Sequence, residues 1–178
     1  MSKLYYWELA GLFFIFTVGA LFHFAFDWLN RIKALAFLFP VNESPWEHLK
    51  MAYWPIIIFA FLEFFFLNIS FNHIVVAKAV AAFSVCIAII SLHYSYKAII
   101  GSHIVFVDII IFFLAIALGQ LLSYRILTAT APKPFAVILA YLSISVLGFM
   151  FIFFTFNPPD LFLFRASSGK SGINVIVK

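Results

Sequence analysis

Charged side chains are scarce in this sequence: they make up 10% of its 178 residues, 11 Lys and Arg against 7 Asp and Glu. That scarcity excludes an ordinary soluble domain, because a small globule must cover itself mostly with polar groups. There is one cysteine, Cys86, inside an apolar run, so no disulfide framework is expected and the redox compartment is left open. No basic patch with interleaved aromatics stands in a polar segment, which argues against a nucleic-acid partner despite the formal charge of +4. No internal repeat is visible, and the metalloprotease pattern His-Glu-x-x-His is missing. The first apolar segment is too long for a signal-peptide core and has no small-x-small cleavage site, so it is expected to belong to the mature protein.

What fills the chain is hydrocarbon. Residues of the hydrophobic set make up 66%, aromatics 21%, and Phe alone numbers 26. Runs of ~20 apolar residues match a bilayer core about 30 Å thick. The expected fold is all-α, a single polytopic membrane helical bundle over residues 1–178, with five spans near 5–28, 45–70, 73–96, 103–124 and 134–156 and a tail over 157–178. Tyr5, Tyr6 and Trp7 open the first span as an interfacial belt. The linker after it contains Ala34 to Phe39, an apolar run too short to span, which predicts an interfacial or re-entrant piece. Ser44-Pro45-Trp46-Glu47 reads as a capping box with proline at the first helical position, so span two starts at Pro45. Pro55 lies inside that span and predicts a kink where it crowds the Met51 carbonyl. Span three is rich in small residues (Ala77, Ala79, Ala81, Ala82, Ser84, Ala88) and is expected to be central. In the tail, Ser167 to Lys170 reads as a turn and Asn174 to Val177 as a short strand.

Five spans put the linker, the third loop and the tail on one side. Seven of the 11 Lys and Arg fall there, which places that side in the cytoplasm by the positive-inside rule. The ionisable groups gather there too: four of the five His and five of the seven acids. Charged groups inside spans are costly and face a bundle interior or a wet cavity. One polar pocket near that leaflet is therefore expected.

Its candidate members can be taken in turn. His23 and Asp27 share a helical face at i, i+4 and, with His93 at matching depth, form a possible metal-ligand set. Capping accounts for Glu47 without any catalytic role, but nothing in it explains Glu43, which makes Glu43 the better candidate acid. His48 and Asp108 complete the candidate catalytic group. Asp108 lies about one turn into span four, where an unpaired carboxylate would cost ~2.5–3.5 kcal/mol, so it needs a partner. Asn42, Trp46, Lys50 and Tyr96 are the candidate binding residues. Towards the other side Glu63 and Lys78 are expected to pair within a helical hairpin, with Glu8, Gln120 and Arg125 nearby.

The stretch Pro40-Val41-Asn42-Glu43-Ser44-Pro45-Trp46-Glu47-His48-Leu49-Lys50, with Leu21-Phe22-His23-Phe24 before it and Thr155-Phe156-Asn157-Pro158-Pro159 after it, resembles a family of small prokaryotic multispanning membrane proteins. That family is classed only as a domain of unknown function. The resemblance implies a multi-pass protein of a prokaryotic cell membrane and implies no activity.

The residues themselves admit several functions. A mixed His/carboxylate set suits Zn, Fe or Mn and a membrane-embedded hydrolase or transferase acting on a lipid or lipid-linked substrate. A small-solute or ion transporter is the main alternative, although five spans without a repeat fit alternating access poorly. An accessory subunit docking a partner membrane protein, a homo-oligomer, and a haem held between His23 and His93 complete the readings. Membrane lipids are the expected partners in each.

Overall fold

The computed structural model describes residues 3–166 and 172–175. Five long helices account for most of it: α1 (Lys3–Trp28), α2 (Pro45–Phe66), α3 (Phe71–Ile100), α4 (Val105–Leu127) and α5 (Pro134–Phe156). Each is long and apolar enough to cross a membrane. No strand occurs among the described residues, and the tail segment read as strand begins instead with a 3₁₀ turn over Gly172–Val175. Residues 176 and 177, and the expected turn at 167–170, lie outside the described residues.

Helices α1 to α4 pack in a ring in which each touches the next and α4 closes back onto α1; α5 lies outside it, mainly against α3. Thus α1 and α3 are diagonal to one another. α2 and α3 are the most buried, over 56% and 50% of their most apolar windows. In α3 this follows from size, since Ala77, Ala79, Ala81 and Ala82 are all buried and let neighbouring backbones close in. The outward faces are aromatic and aliphatic, with Phe13, Phe65, Phe106, Phe135 and Phe149 more than half exposed. That inverted surface is suited to lipid.

Pro55 sits within α2 without ending it. Having no N–H, it cannot bond the Met51 carbonyl. α1 approaches at that point through Gly19, where a Cβ would stand only 2.5 Å from the Met51 oxygen. The linker folds inward: its 3₁₀ turn (Lys33–Leu35) leads into Ala36, Phe39 and Val41, which pack against Phe26 and Ile173. Irregular backbone packed against the bundle has to find its hydrogen bonds within the protein. Here Lys50 Nζ donates to the Ala36 carbonyl (2.9 Å) and Trp54 Nε1 to the Phe37 carbonyl (3.0 Å).

Candidate metal centre at the linker end

The start of α2 decides the geometry of this end. Ser44 is extended (φ −79°, ψ 147°), and its Oγ accepts from the Glu47 amide, so the expected N-cap forms. The reciprocal half of the capping box differs from expectation. Asn42 Oδ1, not Glu47, accepts the Ser44 amide (2.8 Å). An Asx turn closes over two residues and reaches that amide sooner than a side chain from the next helical turn. Glu47 is thereby released inward, where it accepts from the Val41 amide (3.0 Å) and from Thr155 Oγ1 (3.3 Å) and pairs with Lys50 at 2.5 Å. Lys50 is fully buried and also donates to Thr155 (2.9 Å). This ion pair ties α2 to α5 and to the linker.

Glu43 points the other way. Its carboxylate lies between two imidazoles, with His48 Nε2 3.2 Å and His23 Nε2 3.6 Å from Oε2. The three ligand atoms all lie within 4.8 Å of one another. His48 Nδ1 stands 2.8 Å from the Ser44 carbonyl oxygen. A carbonyl only accepts, so Nδ1 carries a proton and donates it there, which leaves Nε2 to face Glu43: as an N–H donor to the carboxylate when protonated, or with its lone pair free for an ion when not. A backbone carbonyl holding the distal nitrogen is the usual second anchor of a metal-bound histidine. The neighbouring imidazoles, His23 first and then His48, hold the Glu43 carboxyl well below the usual carboxylate range, against the opposing effect of burial. Two of the three, His23 and Glu43, line a cleft of about 200 Å³ together with Asp27, Arg31 and Asn42.

The remaining candidates are placed differently from the single pocket expected. Asp27 lines the cleft but pairs with Arg31 Nε at 2.6 Å and stands outside the close triad. His93 does not meet His23, because their helices are diagonal in the ring. It meets Asp108 of α4 (Nδ1–Oδ1, 2.8 Å), which also accepts from Tyr96 (2.8 Å) and lies 3.2 Å from His103 Nδ1. Asp108 thus finds the partners its depth demanded. With both oxygens engaged it is better fitted to hold His93 than to take up a proton. No hydrogen bond or ion pair among the described residues joins this group to the triad. Trp46 is buried among Phe151, Phe154 and Phe164, and neither it nor Lys50 lines the cleft. Asn42 reaches the tail, donating to the Gly172 carbonyl (3.0 Å).

Near the other end, Lys78 is fully buried between Glu8 (3.0 Å) and Glu63 (2.9 Å). The pairing of Glu63 and Lys78 was legible in their depths; the share taken by Glu8 was not. Gln120 Nε2 donates to the Glu8 carbonyl (3.1 Å) and Ser123 to its carboxylate (2.6 Å). Lys50 and Glu63 are thirteen helical steps apart along α2, about 20 Å at 1.5 Å per step. The interior between is lined by Ile15, Ile56, Val85 and Ile116, all buried.

Against known proteins, residues 1–173 match the Family of unknown function (DUF6512). The chain belongs to that family. The match takes in α1 to α5 and reaches Ile173, so it includes every residue of the triad and its cleft. No curated protein and no solved structure matches the chain. Membership in DUF6512 therefore brings no activity with it, and the chemistry has to be argued from the residues.

Proposed function

We propose that this multi-pass protein binds a divalent transition metal through His23, Glu43 and His48 at one membrane interface, and uses it in hydrolysis or group transfer on a lipid or lipid-linked substrate. One observation carries the reading. The His23–Glu43 separation of 3.6 Å is too long for a hydrogen bond, and the His48–Glu43 separation is 3.2 Å. Two ligand atoms on a tetrahedral ion with bonds of 2.0–2.1 Å stand about 3.3 Å apart, between those two values. Two imidazoles and a carboxylate suit Zn or Fe, and three protein ligands leave a position for water or a substrate oxygen. When bound, the ion would supply Lewis-acid polarisation and lower the pKa of water.

The chain's own residues contribute position. Ser44 fixes the His48 ring and Asn42 fixes the turn that presents Glu43. His23 and His48 are about two-thirds buried, while Glu43 is 68% exposed. The site therefore sits where apolar packing gives way to water, the depth of a lipid headgroup. His93, oriented by Asp108, provides a further imidazole at the same end. A solute path has less to run on, since an apolar interior separates the two buried ionic networks.

The test is metal analysis of detergent-purified protein. Near-stoichiometric metal is expected in the wild type, and under a tenth of it in His48→Ala and His23→Ala at unchanged helix content. Bound metal should fall as the pH is lowered, because protons compete with the ion for the imidazole nitrogens, while the depressed Glu43 carboxyl stays ionised and adds nothing to that slope. Wild-type protein that holds no transition metal after incubation with Zn, Fe or Mn would overturn the reading.

A further inference from the structure

Arg31 is the feature of the cleft that neither packing nor metal ligation explains. α1 ends in a backbone cap: the Leu29 amide bonds the Ala25 carbonyl and the Arg31 amide bonds the Phe26 carbonyl (2.9 Å). Such a cap needs one residue in the left-handed region, and Asn30 (φ 52°) supplies it with a residue that tolerates the conformation. Arg31 is left-handed as well (φ 54°), which the cap does not require and a long side chain does not favour. The result is that the guanidinium turns back along α1 onto Asp27, into the wall of the same cleft that His23 and Glu43 line. Asp27 engages only its Nε, and among the described residues the two terminal nitrogens have no partner. Two parallel N–H donors are what an anion with paired oxygens accepts.

The charges point the same way. A divalent ion on Glu43 leaves one positive charge, and Asp27 and Arg31 cancel. The C-terminal dipole of α1 works against an anion only weakly, and within its last turn. Trp28, Leu29 and Ile32, chain neighbours of Asp27 and Arg31, are 65%, 38% and 49% exposed, apolar side chains suited to acyl chains and glycerol rather than to water.

Resting on the metal reading above, we propose that the cleft beside His23, Glu43 and His48 binds the phosphate of a phospholipid headgroup, held by Arg31 while the phosphate oxygens face the metal position. The shared chemistry is a phosphate oxyanion; what marks the lipid is the exposed apolar chain on either side of Arg31.

The test uses full-length protein in phosphatidylcholine nanodiscs doped with phosphatidic acid, zinc-loaded, with retained phosphatidic acid read by native mass spectrometry and metal measured on the same samples. Wild type should retain phosphatidic acid, and Arg31→Gln should retain about tenfold less, the loss of charge-assisted hydrogen bonds to a phosphate, at unchanged metal content. Arg31→Lys should fall between them, and Asp27→Asn, which frees the guanidinium, should retain at least as much as wild type. Arg31→Gln that is folded by circular dichroism and retains wild-type phosphatidic acid overturns the proposal. So does full displacement of the lipid by equimolar inorganic phosphate, which would make the site one for free phosphate. Arg31-dependent retention by protein that takes up no zinc would sink the metal reading while leaving phosphate recognition by Arg31 in place.

Discussion

Lys78 shows how much one residue can hold in an apolar interior. Its ammonium lies within 3.0 Å of Glu8 from α1 and 2.9 Å of Glu63 from α2, so it joins three helices of the ring. Glu63 Oε2 has no partner besides. Removing one member of a buried charge network leaves the others uncompensated, which costs about 3–5 kcal/mol. Lys78→Met is therefore expected to lower stability by that amount in denaturant titrations in micelles. Adding Glu8→Gln and Glu63→Gln should recover most of the loss, because the uncompensated carboxylates are then gone. A full loss in the triple variant would mean that shape, not charge, sets the cost. The sequence showed Glu63 and Lys78 at one depth. It did not show Glu8 as the second carboxylate, because depth along a helix says nothing of the face a helix turns inward.

At the scale of the element, α1 and α2 meet where Pro55 has left the Met51 carbonyl without a helical donor and Gly19 lets α1 close onto it. A methyl group at Gly19 would meet backbone oxygen at 2.5 Å and the Phe112 ring at 2.8 Å. The ring can turn, but the carbonyl cannot. His23 lies one turn further along the same face of α1. Gly19→Ala should accordingly push α1 away from α2 and widen the gap between His23 and His48, lowering zinc occupancy severalfold in the same metal assay, although no ligand is altered. Gly101→Ala is the contrasting case. There the α3 C-cap has φ +81° and nothing lies within 4 Å, so the cost is backbone strain of about 1 kcal/mol and zinc should be retained. Equal zinc loss in both variants would separate metal binding from the α1–α2 approach.

For the molecule as a whole, five spans place the two ends of the chain on opposite sides. The positive-inside count predicts that the linker, and with it the triad, faces the cytoplasm. A fluorescent protein fused after Lys178 should then light up in cells, and alkaline phosphatase fused there should stay inactive. The reverse pattern would move the site to the outer face and change which lipids it can reach.

Composition and hydropathy by themselves determined the class of fold, the five helices and the start of α2 at Pro45, because these depend on local chemistry: apolar runs long enough for a bilayer, and a serine–proline cap. They also determined that the ionisable groups crowd one end, since alternating spans fix which side each loop must face. Only the tertiary structure decided the pairings there. A period of 3.6 residues says which side chains share a face of one helix, not how that helix is rotated against its neighbours. Ring packing placed α1 diagonal to α3, sending His93 to Asp108 and leaving His23 to Glu43 and His48, and an Asx turn by Asn42 freed Glu47 for Lys50. Those contacts depend on how helices far apart in the chain come together, and no single stretch of sequence contains them.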